Sequence, residues 1–440
     1  MSPAIANPPG ERPKIMATAQ VPQRIPDSAC FDCLSQLAAR RGRPAVPGPV
    51  TFWLLAFVFA AIMLGTTLPT PLYVIYQAQW RFSSAIVTVT FAAYAAGVLA
   101  ALLLAGRASD QAGRKPVLAA ALGASALSTV VFILAPDVAA LIAARIISGL
   151  SAGLMTGTAT AALTDLAPAP ASRRASLMAT AANMGGLGLG PLIAGLSAQY
   201  APQPTVLVFE VYLAVLAAAG LCLLFIPETV SPRHRPALRP AGLGIPGPGR
   251  AEFIAAAVAR FAAFSLLGLF AALAPAFLGS VLREDSHAVQ GAVVFGLFAV
   301  GTVTQVLLSR FPSRPVMVAG LGLLLARLAL IVAALAQAAL ILFLTGTVVS
   351  GIAVGGIFLG SLATASRLAP PGRRGQAVST YFMACYCGLI LPVIGTGVAS
   401  GFIGDVPAVL ALSILIAALC TFALASSART PRHDRAAVTR

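Results

Sequence analysis

The sequence has few charged residues. Asp, Glu, Lys and Arg together make up 10% of its 440 residues, whereas soluble domains carry about 25%. Hydrophobic residues make up 58%, and the mean hydropathy is +0.90. A soluble domain of this size could not remove so much apolar surface from water. The composition therefore excludes an ordinary soluble protein and predicts a chain that crosses a membrane many times.

Residues that bind metals or carry out covalent chemistry are also scarce. The chain has three His, six Cys and 13 Asp and Glu, and it shows no Walker loop, H-E-x-x-H motif or set typical of a catalytic triad. Cys30 and Cys33 form a C-x-x-C pair, but a zinc site needs two further ligands, and no second pair accompanies them. We therefore expect no metal, no cofactor and no enzymatic activity, with the two thiols reduced.

Twelve apolar stretches are long enough to cross a membrane as helices. They form two sets of six, separated by the Pro- and Gly-rich residues 227–250. We therefore expect an all-α membrane protein of two six-helix bundles, 51–226 and 251–428, joined by a cytosolic linker. A disordered tail, 1–50, and a short tail, 429–440, complete the predicted organisation. The predicted spans 1 to 12 are 52–76, 84–105, 116–135, 138–163, 175–199, 205–226, 252–279, 288–309, 316–336, 338–364, 377–400 and 406–427.

The basic residues are distributed unevenly around these spans. The net charge is +16, and of the 29 Lys and Arg only Arg81 and Arg283 fall in the loops opposite the termini. Three more, Arg145, Arg260 and Arg327, fall inside spans, and all the others lie on the side of the termini. This bias predicts a cell inner (cytoplasmic) membrane protein with both termini in the cytoplasm. Because the basic residues are scattered over many loops, we expect no binding to nucleic acid.

The two halves of the sequence are similar to each other. "SGLSAGLMTGTATAALTDLAP" (148–168) aligns without a gap on "SGIAVGGIFLGSLATASRLAP" (350–370). A repeat of about 200 residues with six helices in each copy predicts two bundles of the same orientation. A substrate path between them, near the middle of the membrane, follows from this arrangement.

Four motifs identify a family resemblance. "GRASDQAGRKP" (106–116) follows span 2, "RIISGLSAG" (145–153) lies in span 4, "GLGLGPLIAG" (186–195) lies in span 5, and "PET" (227–229) ends span 6. Together they resemble the signature sequences of the major facilitator superfamily. The span-5 motif resembles that of its twelve-helix drug:proton antiporter branch. The resemblance covers about 50–430 and implies secondary transport by alternating access.

The resemblance implies a conformational latch in the loop after span 2. Its acid Asp110, the basic Arg114 and Asp165 at the end of span 4 match the family's charge relay, with Gly106 and Gly113 as the loop glycines. In the family this relay holds the first bundle against the start of span 11, here near 376–380. One position departs from the pattern, because Gln111 stands where the family usually has Arg. The alternative is a solvated turn with ordinary loop arginines.

Two arginines within spans and a few polar side chains are the predicted cavity or coupling residues. A charged side chain inside a membrane helix costs about 2.5–3.5 kcal/mol or more, so Arg145 and Arg260 should face the interior rather than lipid. The resemblance further links Arg145 to proton transfer. The predicted cavity residues also include Tyr94, Asn183 and Tyr381, beside Tyr73, Tyr76 and Gln305. Because polar residues are few, the cavity should suit a lipophilic substrate.

The glycines and proline of the span-5 motif are predicted to let that helix bend and pack closely on a neighbour. The residues are Gly186, Gly190, Pro191 and Gly195, and the second half carries Pro392 in span 11. Small residues allow membrane helices to approach closely. Matched Gly and Pro positions in spans 5 and 11 suggest two helices that meet across the interface between the bundles and rock.

The sequence therefore predicts a monomeric transporter in the lipid bilayer that exports a small lipophilic molecule, with protons as the counter-substrate. No Asp or Glu falls in the middle of spans 1, 4, 7 or 10, so the group that would carry the proton is unassigned. The alternatives are a nutrient importer or facilitator of the same fold and a membrane-embedded transferase. The short outer loops leave little room for the polar domain that a transferase needs.

Overall fold

The computed structural model describes residues 48–105, 108–167, 172–230, 247, 249–280, 286–337, 340–369 and 374–429. Most of the predicted tails and of the predicted linker lie outside these residues, as does Gly106. The predicted tail boundaries are off by a few residues, because 48–50 belong to the first helix and 429 to the last. Within them the chain forms helices and turns and no strand. The helices are α1 Gly48–Thr67, α2 Tyr73–Trp80, α3 Ser84–Ala105, α4 Ala108–Ala112, α5 Arg114–Leu134, α6 Val138–Leu166, α7 Ser172–Tyr200, α8 Pro204–Phe225, α9 Arg250–Ser280, α10 His287–Leu308, α11 Ser313–Gln337, α12 Leu340–Leu368, α13 Arg374–Ile403 and α14 Asp405–Arg429.

The predicted fold class is confirmed. Among the described residues, eleven helices are long and apolar enough to cross a membrane, and α11 adds a further helix of 25 residues. Helices are the expected outcome because a backbone in lipid must satisfy its own hydrogen bonds within the segment. Spans 1 to 12 correspond in order to α1, α3, α5, α6, α7, α8, α9, α10, α11, α12, α13 and α14.

The first predicted span is shorter than the sequence indicated. It was predicted over 52–76, but α1 ends at Thr67, and the chain turns through 68–72 before α2 begins at Tyr73. Pro69 and Pro71 lie in this turn. Because proline has no backbone N–H, neither residue can donate the hydrogen bond that would continue a helix. The end of α1 therefore lies inside the protein rather than at its surface, since Leu68 and Leu72 are both fully buried.

The two halves repeat the same pattern of helix packing. In the first half, α6 packs against α3 and α5, and α1 packs against α7 and α8. In the second half, the corresponding α12 packs against α10 and α11, and α9 packs against α13 and α14. Each half also has a hydrophobic core of its own, apart from single residues contributed by the other half. The sequence repeat is thus a structural repeat of two six-helix bundles.

Two helix pairs join the bundles, α7 with α10 and α3 with α13. We call the end of the bundles that carries α4 and the residues after α8 the linker end. The opposite end, which carries α2 and the start of α10, is the far end. This division matters for the site because the two ends are packed differently between the halves.

Candidate functional site

The far end is closed by close contacts between the two halves. A Cβ placed on Gly291 of α10 would lie 2.4 Å from the carbonyl oxygen of Pro191, and one on Gly195 would lie 2.5 Å from that of His287. On the other pair, a Cβ on Gly397 of α13 would lie 2.6 Å from Thr88 Oγ1 of α3. Small residues thus let both helix pairs touch. We call these contacts the far-end seam.

A cavity of about 320 Å³ lies between the halves on the other side of this seam. It extends from Phe59 and Asn183, in the middle of α1 and α7, to Thr164 and Ser366 near the linker end, where Thr164 is exposed. Its volume lies within the range of small-molecule sites. The lining residues carry no charge: Phe59, Thr156, Thr160, Thr164, Ala179, Thr180, Asn183, Phe358, Leu359, Leu362, Ala363, Ser366 and Phe382.

A larger hollow, of about 580 Å³, also lies toward the linker end, where Pro49, Phe52 and Trp53 of α1 form part of its wall. Its wall is mostly apolar and holds one charged side chain, Arg174. The smaller cavity resembles a typical ligand site more closely, because several polar groups of the first half and Ser366 of the second half line it.

A row of threonines on α6 forms one polar wall of the cavity. Thr156, Thr160 and Thr164 follow each other at intervals of four residues, so they share one helix face. Each hydroxyl donates to the carbonyl four residues earlier, at 2.7–2.9 Å. The oxygen of each hydroxyl therefore still has acceptor capacity toward the cavity. The sequence interpretation missed this wall, although the T-x-x-x-T-x-x-x-T spacing in span 4 could have indicated it.

Of the predicted cavity residues, Asn183 is the one that the structure places in the lining. Its amide also donates to Met63 Sδ at 3.4 Å. Tyr381 is fully buried and shares a hydrogen bond of 2.7 Å with Ser361 Oγ. Tyr94 is 7% exposed and packs near Arg145. Neither tyrosine is among the cavity's lining residues.

Arg145 is buried among aromatic rings and braces the broken first span. It donates through Nε to the hydroxyl of Tyr73 and through Nη1 to the carbonyl of Thr66 at 2.6 Å. Thr66 lies in the last turn of α1, where carbonyl oxygens have no partner within the helix. A cation is favourable at that end of a helix dipole. The structure thus gives Arg145 a structural contact, and its predicted role in proton transfer stays a prediction.

Arg260 and Arg327 are the other buried arginines. Arg260 on α9 is 0% exposed, and none of its three side-chain nitrogens has a hydrogen-bond partner. Its guanidinium lies over the rings of Phe264 and Phe358, 4.1 and 3.6 Å from their centroids. Arg327 on α11 is also buried, with two nitrogens unpaired. Phe358 also lines the cavity, so Arg260 lies against the cavity wall through that ring.

The span-5 glycines pack against two different helices. A Cβ on Gly186 would lie 2.5 Å from Ala60 O, and one on Gly190 would lie 2.4 Å from Leu64 O, both on α1. Gly195 instead faces α10 in the far-end seam. Pro191 cannot donate to Leu187 O, and the hydroxyl of Thr67 on α1 donates to that carbonyl at 2.8 Å. This contact restores the hydrogen bond that proline removes.

The matching helix of the second half, α13, contains Pro392 and packs against α3 and α9. The suggestion that spans 5 and 11 meet each other therefore needs correction: across the interface, α7 packs chiefly against α10, and α13 against α3. The reason is the twofold arrangement of the repeat, which places each of these helices opposite the second helix of the other half.

The structure brings the predicted latch residues together at the linker end. Arg114 Nη1 lies 2.5 Å from Asp110 Oδ1, and its Nε lies 3.1 Å from Asp165 Oδ2. Arg114 also donates to Ser109 Oγ at 2.7 Å. These contacts tie α4, α5 and α6 of the first half to each other. The predicted contact with the start of α13 involves side chains that are mostly outside the described part, so it stays a prediction.

Glu228 is a further member of this cluster that the sequence interpretation missed. Its carboxylate accepts from Arg114 N at 2.8 Å and Lys115 N at 3.0 Å, the first N–H groups of α5. Gly113, with φ +102°, precedes that helix and has no side chain to cap it. A carboxylate at a helix N-terminus satisfies its free donors and the dipole. In the sequence only the Pro-Glu-Thr triplet drew notice to Glu228, and the triplet does not indicate that its carboxylate caps α5.

Lys115 caps the neighbouring helix in return. Its Nζ donates to Leu224 O at 2.9 Å and Ile226 O at 2.7 Å, at the end of α8. Basic side chains commonly bind the free carbonyls of a helix C-terminus. The α4–α5 loop and the end of α8 are thus held by reciprocal caps.

We expect Asp110→Asn to slow transport roughly two- to fivefold, because an exposed ion pair contributes about 0.2–1 kcal/mol and Asp110 is 60% exposed. Arg114 keeps Asp165 and Ser109 as partners, so the amount of folded protein should not change. The measurement is the initial transport rate per folded protein. Glu210→Gln, which removes an exposed acid on α8, is the control. Equal rates for all three proteins would reduce the latch to a solvated turn.

Comparison with known proteins agrees with this architecture. The sequence profile of the Major Facilitator Superfamily matches residues 55–391. No curated protein matches the chain. Solved structures with the same fold include the human organic anion transporter MFSD10 (TETRAN), with a TM-score of 0.67 and 19% identity over 87% of this chain and 100% of that one.

Two further structures share the fold at lower identity. The D-xylose-proton symporter has a TM-score of 0.67 and 15% identity over 86% of this chain and 96% of that one. A variant of the nucleoside transporter NupG has a TM-score of 0.62 and 15% identity over 86% and 99%. With most of its length matched by the family profile, and with two repeated six-helix bundles around a central cavity, this chain belongs to the Major Facilitator Superfamily of membrane transporters.

Proposed function

We propose that this transporter exports a small lipophilic molecule across the cytoplasmic membrane by alternating access. The observation that supports it best is the cavity between the halves, which the far-end seam closes on one side and which reaches the linker end at Thr164 and Ser366. The excess of basic residues at the linker end supports a cytoplasmic position for that end and for both termini. Substrate would then enter from the cytoplasm.

The lining of the cavity supports a lipophilic substrate. Phe59, Phe358 and Phe382 supply large apolar surfaces, and hydroxyls and the amide of Asn183 supply the polar groups. Apolar walls with few polar groups are typical of sites for small organic molecules. Sugars need many hydrogen bonds along their whole length, and this cavity offers them mainly along α6.

In this proposal the halves rock about the cavity as a monomer. The linker end closes through the relay of Asp110, Arg114 and Asp165, while the far-end seam opens. The glycines of α7 and α13 support such a movement, because the seam consists of contacts between small residues and backbone atoms rather than ion pairs in the described residues. The bundles 51–226 and 251–428 act as the two moving bodies, with 227–250 as their connection.

Protons are the proposed counter-substrate, and the similarity of the span-5 motif to that of drug:proton antiporters supports this choice. No carboxylate among the described residues lines the cavity. Glu210, an acid within α8, is exposed and not part of the cavity lining. We therefore propose that Arg145 and its hydroxyl partner Tyr73 couple proton movement to substrate export.

An importer of the same fold is the second candidate. The similarity to a D-xylose-proton symporter, at the same TM-score as the organic anion transporter, favours it. The two candidates differ in direction and in substrate polarity, so one transport experiment separates them.

Everted membrane vesicles test the proposed direction and coupling. We expect vesicles containing this protein to accumulate a lipophilic dye when the interior is acidified, and to lose it when an ionophore collapses the pH gradient. Vesicles with the Gly291→Leu protein are the matched control, because a Cβ at this position would lie 2.4 Å from the Pro191 carbonyl oxygen and keep the far-end seam from closing. Accumulation that ignores the gradient would remove proton antiport, and accumulation only in right-side-out vesicles would support the importer.

A further inference from the structure

The guanidinium of Arg260 is stacked on aromatic rings and donates to no oxygen of the described residues. Phe264 and Phe358 cover it at 4.1 and 3.6 Å from their ring centroids, and Nε, Nη1 and Nη2 are all buried without a partner. Stacking on aromatic faces favours a cation, but it leaves all five N–H donors of the guanidinium unused. Buried donors without good acceptors are costly, and among the described residues no oxygen accepts from this guanidinium.

The polar side chains beside Arg260 are already engaged and carry no formal charge. Tyr381, Cys385 and Tyr386 of α13 lie close to it, and the Cys385 sulfur is a weak acceptor beside the guanidinium. The thiol of Cys385 donates to Tyr381 O at 3.1 Å, and the hydroxyl of Tyr381 pairs with Ser361. None of these groups can neutralise a guanidinium, which keeps its proton in proteins.

No carboxylate of the described residues compensates this charge. The ion pairs found there are Arg114 with Asp110, Arg114 with Asp165, and Arg367 with Glu252. A buried charge without a counter-charge is strongly destabilising. The described carboxylates lie at helix ends or on exposed faces: Asp110, Asp137, Asp165, Glu210, Glu228 and Glu252.

The position of Arg260 connects it to the substrate cavity. Phe358, which stacks on the guanidinium, also lines the cavity, as does Phe382 on α13. One aromatic ring thus separates the unpaired donors from the space where a substrate would lie.

We propose that the transported molecule is an amphipathic organic anion and that Arg260 binds its carboxylate. This rests on the proposed transport function and adds the substrate class to it. The apolar body lies against Phe59, Phe358 and Phe382, and the carboxylate accepts two parallel hydrogen bonds from the planar fork of Arg260. The bound anion supplies the missing counter-charge, so the site binds a carboxylate in preference to a neutral molecule of the same shape.

Binding of matched pairs to the purified full-length protein tests the proposal. The probes are aryl carboxylates, beginning with 1-naphthaleneacetate, and their primary amides, which have the same shape without the charge. We expect the carboxylates to bind at least about tenfold more tightly than the amides, in line with the energy of charge-assisted hydrogen bonds. Arg260→Gln should remove this preference, and Arg260→Lys should keep part of it.

Arg327→Gln is the matched control, because Arg327 is also buried and incompletely hydrogen-bonded but lies against Phe270 rather than the cavity lining. It should keep the full preference for carboxylates. Equal affinities of the wild-type protein for both members of each pair, or binding of neither, would overturn the proposal. So would an equal loss of preference in the two Gln variants. If Arg260→Gln fails to fold, binding of the carboxylate and amide probes to the wild-type protein and to Arg260→Lys still tests the proposal.

The same measurements separate this inference from the proposed function. Accumulation of a neutral dye by everted vesicles, with no preference for carboxylates, leaves the export proposal standing and removes the anion site. Tight binding of carboxylates without accumulation in everted vesicles would support the anion site and remove the export proposal.

Discussion

Gly291→Leu should abolish transport while leaving the protein folded. The Cβ alone would lie 2.4 Å from the carbonyl oxygen of Pro191, and that oxygen belongs to the backbone of α7. A backbone atom cannot rotate out of the way, so α7 and α10 must separate at the far end. The substitution therefore favours a state in which the far-end seam is open. Since alternating access needs both states, we expect the rate to fall at least about tenfold, which corresponds to about 1.4 kcal/mol of bias.

The same helix supplies the control for this experiment. A Cβ on Gly296 of α10 would have nothing within 4 Å, so Gly296→Leu should transport normally. Spin labels at the exposed positions Tyr200 and Phe402, at the far ends of α7 and α13, measure the separation of the halves. We expect a longer distance in Gly291→Leu than in Gly296→Leu. Equal distances and full transport in both variants would show that the seam does not take part in the cycle.

Gly149→Val should prevent the first bundle from folding. A Cβ on Gly149 of α6 would lie 1.9 Å from the carbonyl oxygen of Tyr94 and 3.0 Å from Val98 N, both on α3. From the other side, a Cβ on Gly97 would lie 2.3 Å from Ile146 O. Valine adds two methyl groups where not even one carbon fits. Overpacking costs about 1–3 kcal/mol where side chains can adjust, and here backbone atoms would have to move, so we expect a larger loss.

Gly157→Val on the same helix is the comparison, because a Cβ there meets nothing within 4 Å. The measurement is the yield of monodisperse protein in detergent and its thermal midpoint. We expect little or no monodisperse Gly149→Val protein and a midpoint for Gly157→Val within a few degrees of the wild type. Similar yields of the two variants would mean that α3 and α6 do not cross as closely as described.

The fold could be predicted from the sequence because lipid allows few alternatives. A helix is the expected form for a long apolar stretch in a membrane, so composition and the repeat gave the helices and their grouping. The latch could be predicted because Asp110 and Arg114 are only four residues apart and lie in a loop that resembles the family's signature sequence. The end of α1 was missed, although Pro69 and Pro71 in "LPTPL" signalled it.

Contacts between distant parts of the chain were harder to predict. Glu228 caps α5 across more than a hundred residues, and no local pattern identifies the partner of a cap. The cavity lining was misjudged for a similar reason. Large polar residues such as Tyr381 were predicted to line the cavity. In the structure they form hydrogen bonds inside the bundles, and small hydroxyl groups line the cavity instead. The side of a membrane helix that faces a cavity depends on its neighbours, and an apolar helix has almost no amphipathic pattern to reveal it.

The buried arginines have a consequence for ions that are not carried. A monovalent cation about 10 Å from one guanidinium meets a repulsion of about 2 kcal/mol at an effective dielectric constant of about 20. Arg145 and Arg260, one in each half, both lie deep in the bundles, so their fields add. Positive charge inside a pore is one of the ways by which membrane proteins reject protons and metal cations. In the proposed cycle, this field would oppose the entry of sodium ions into the central cavity when it opens to water.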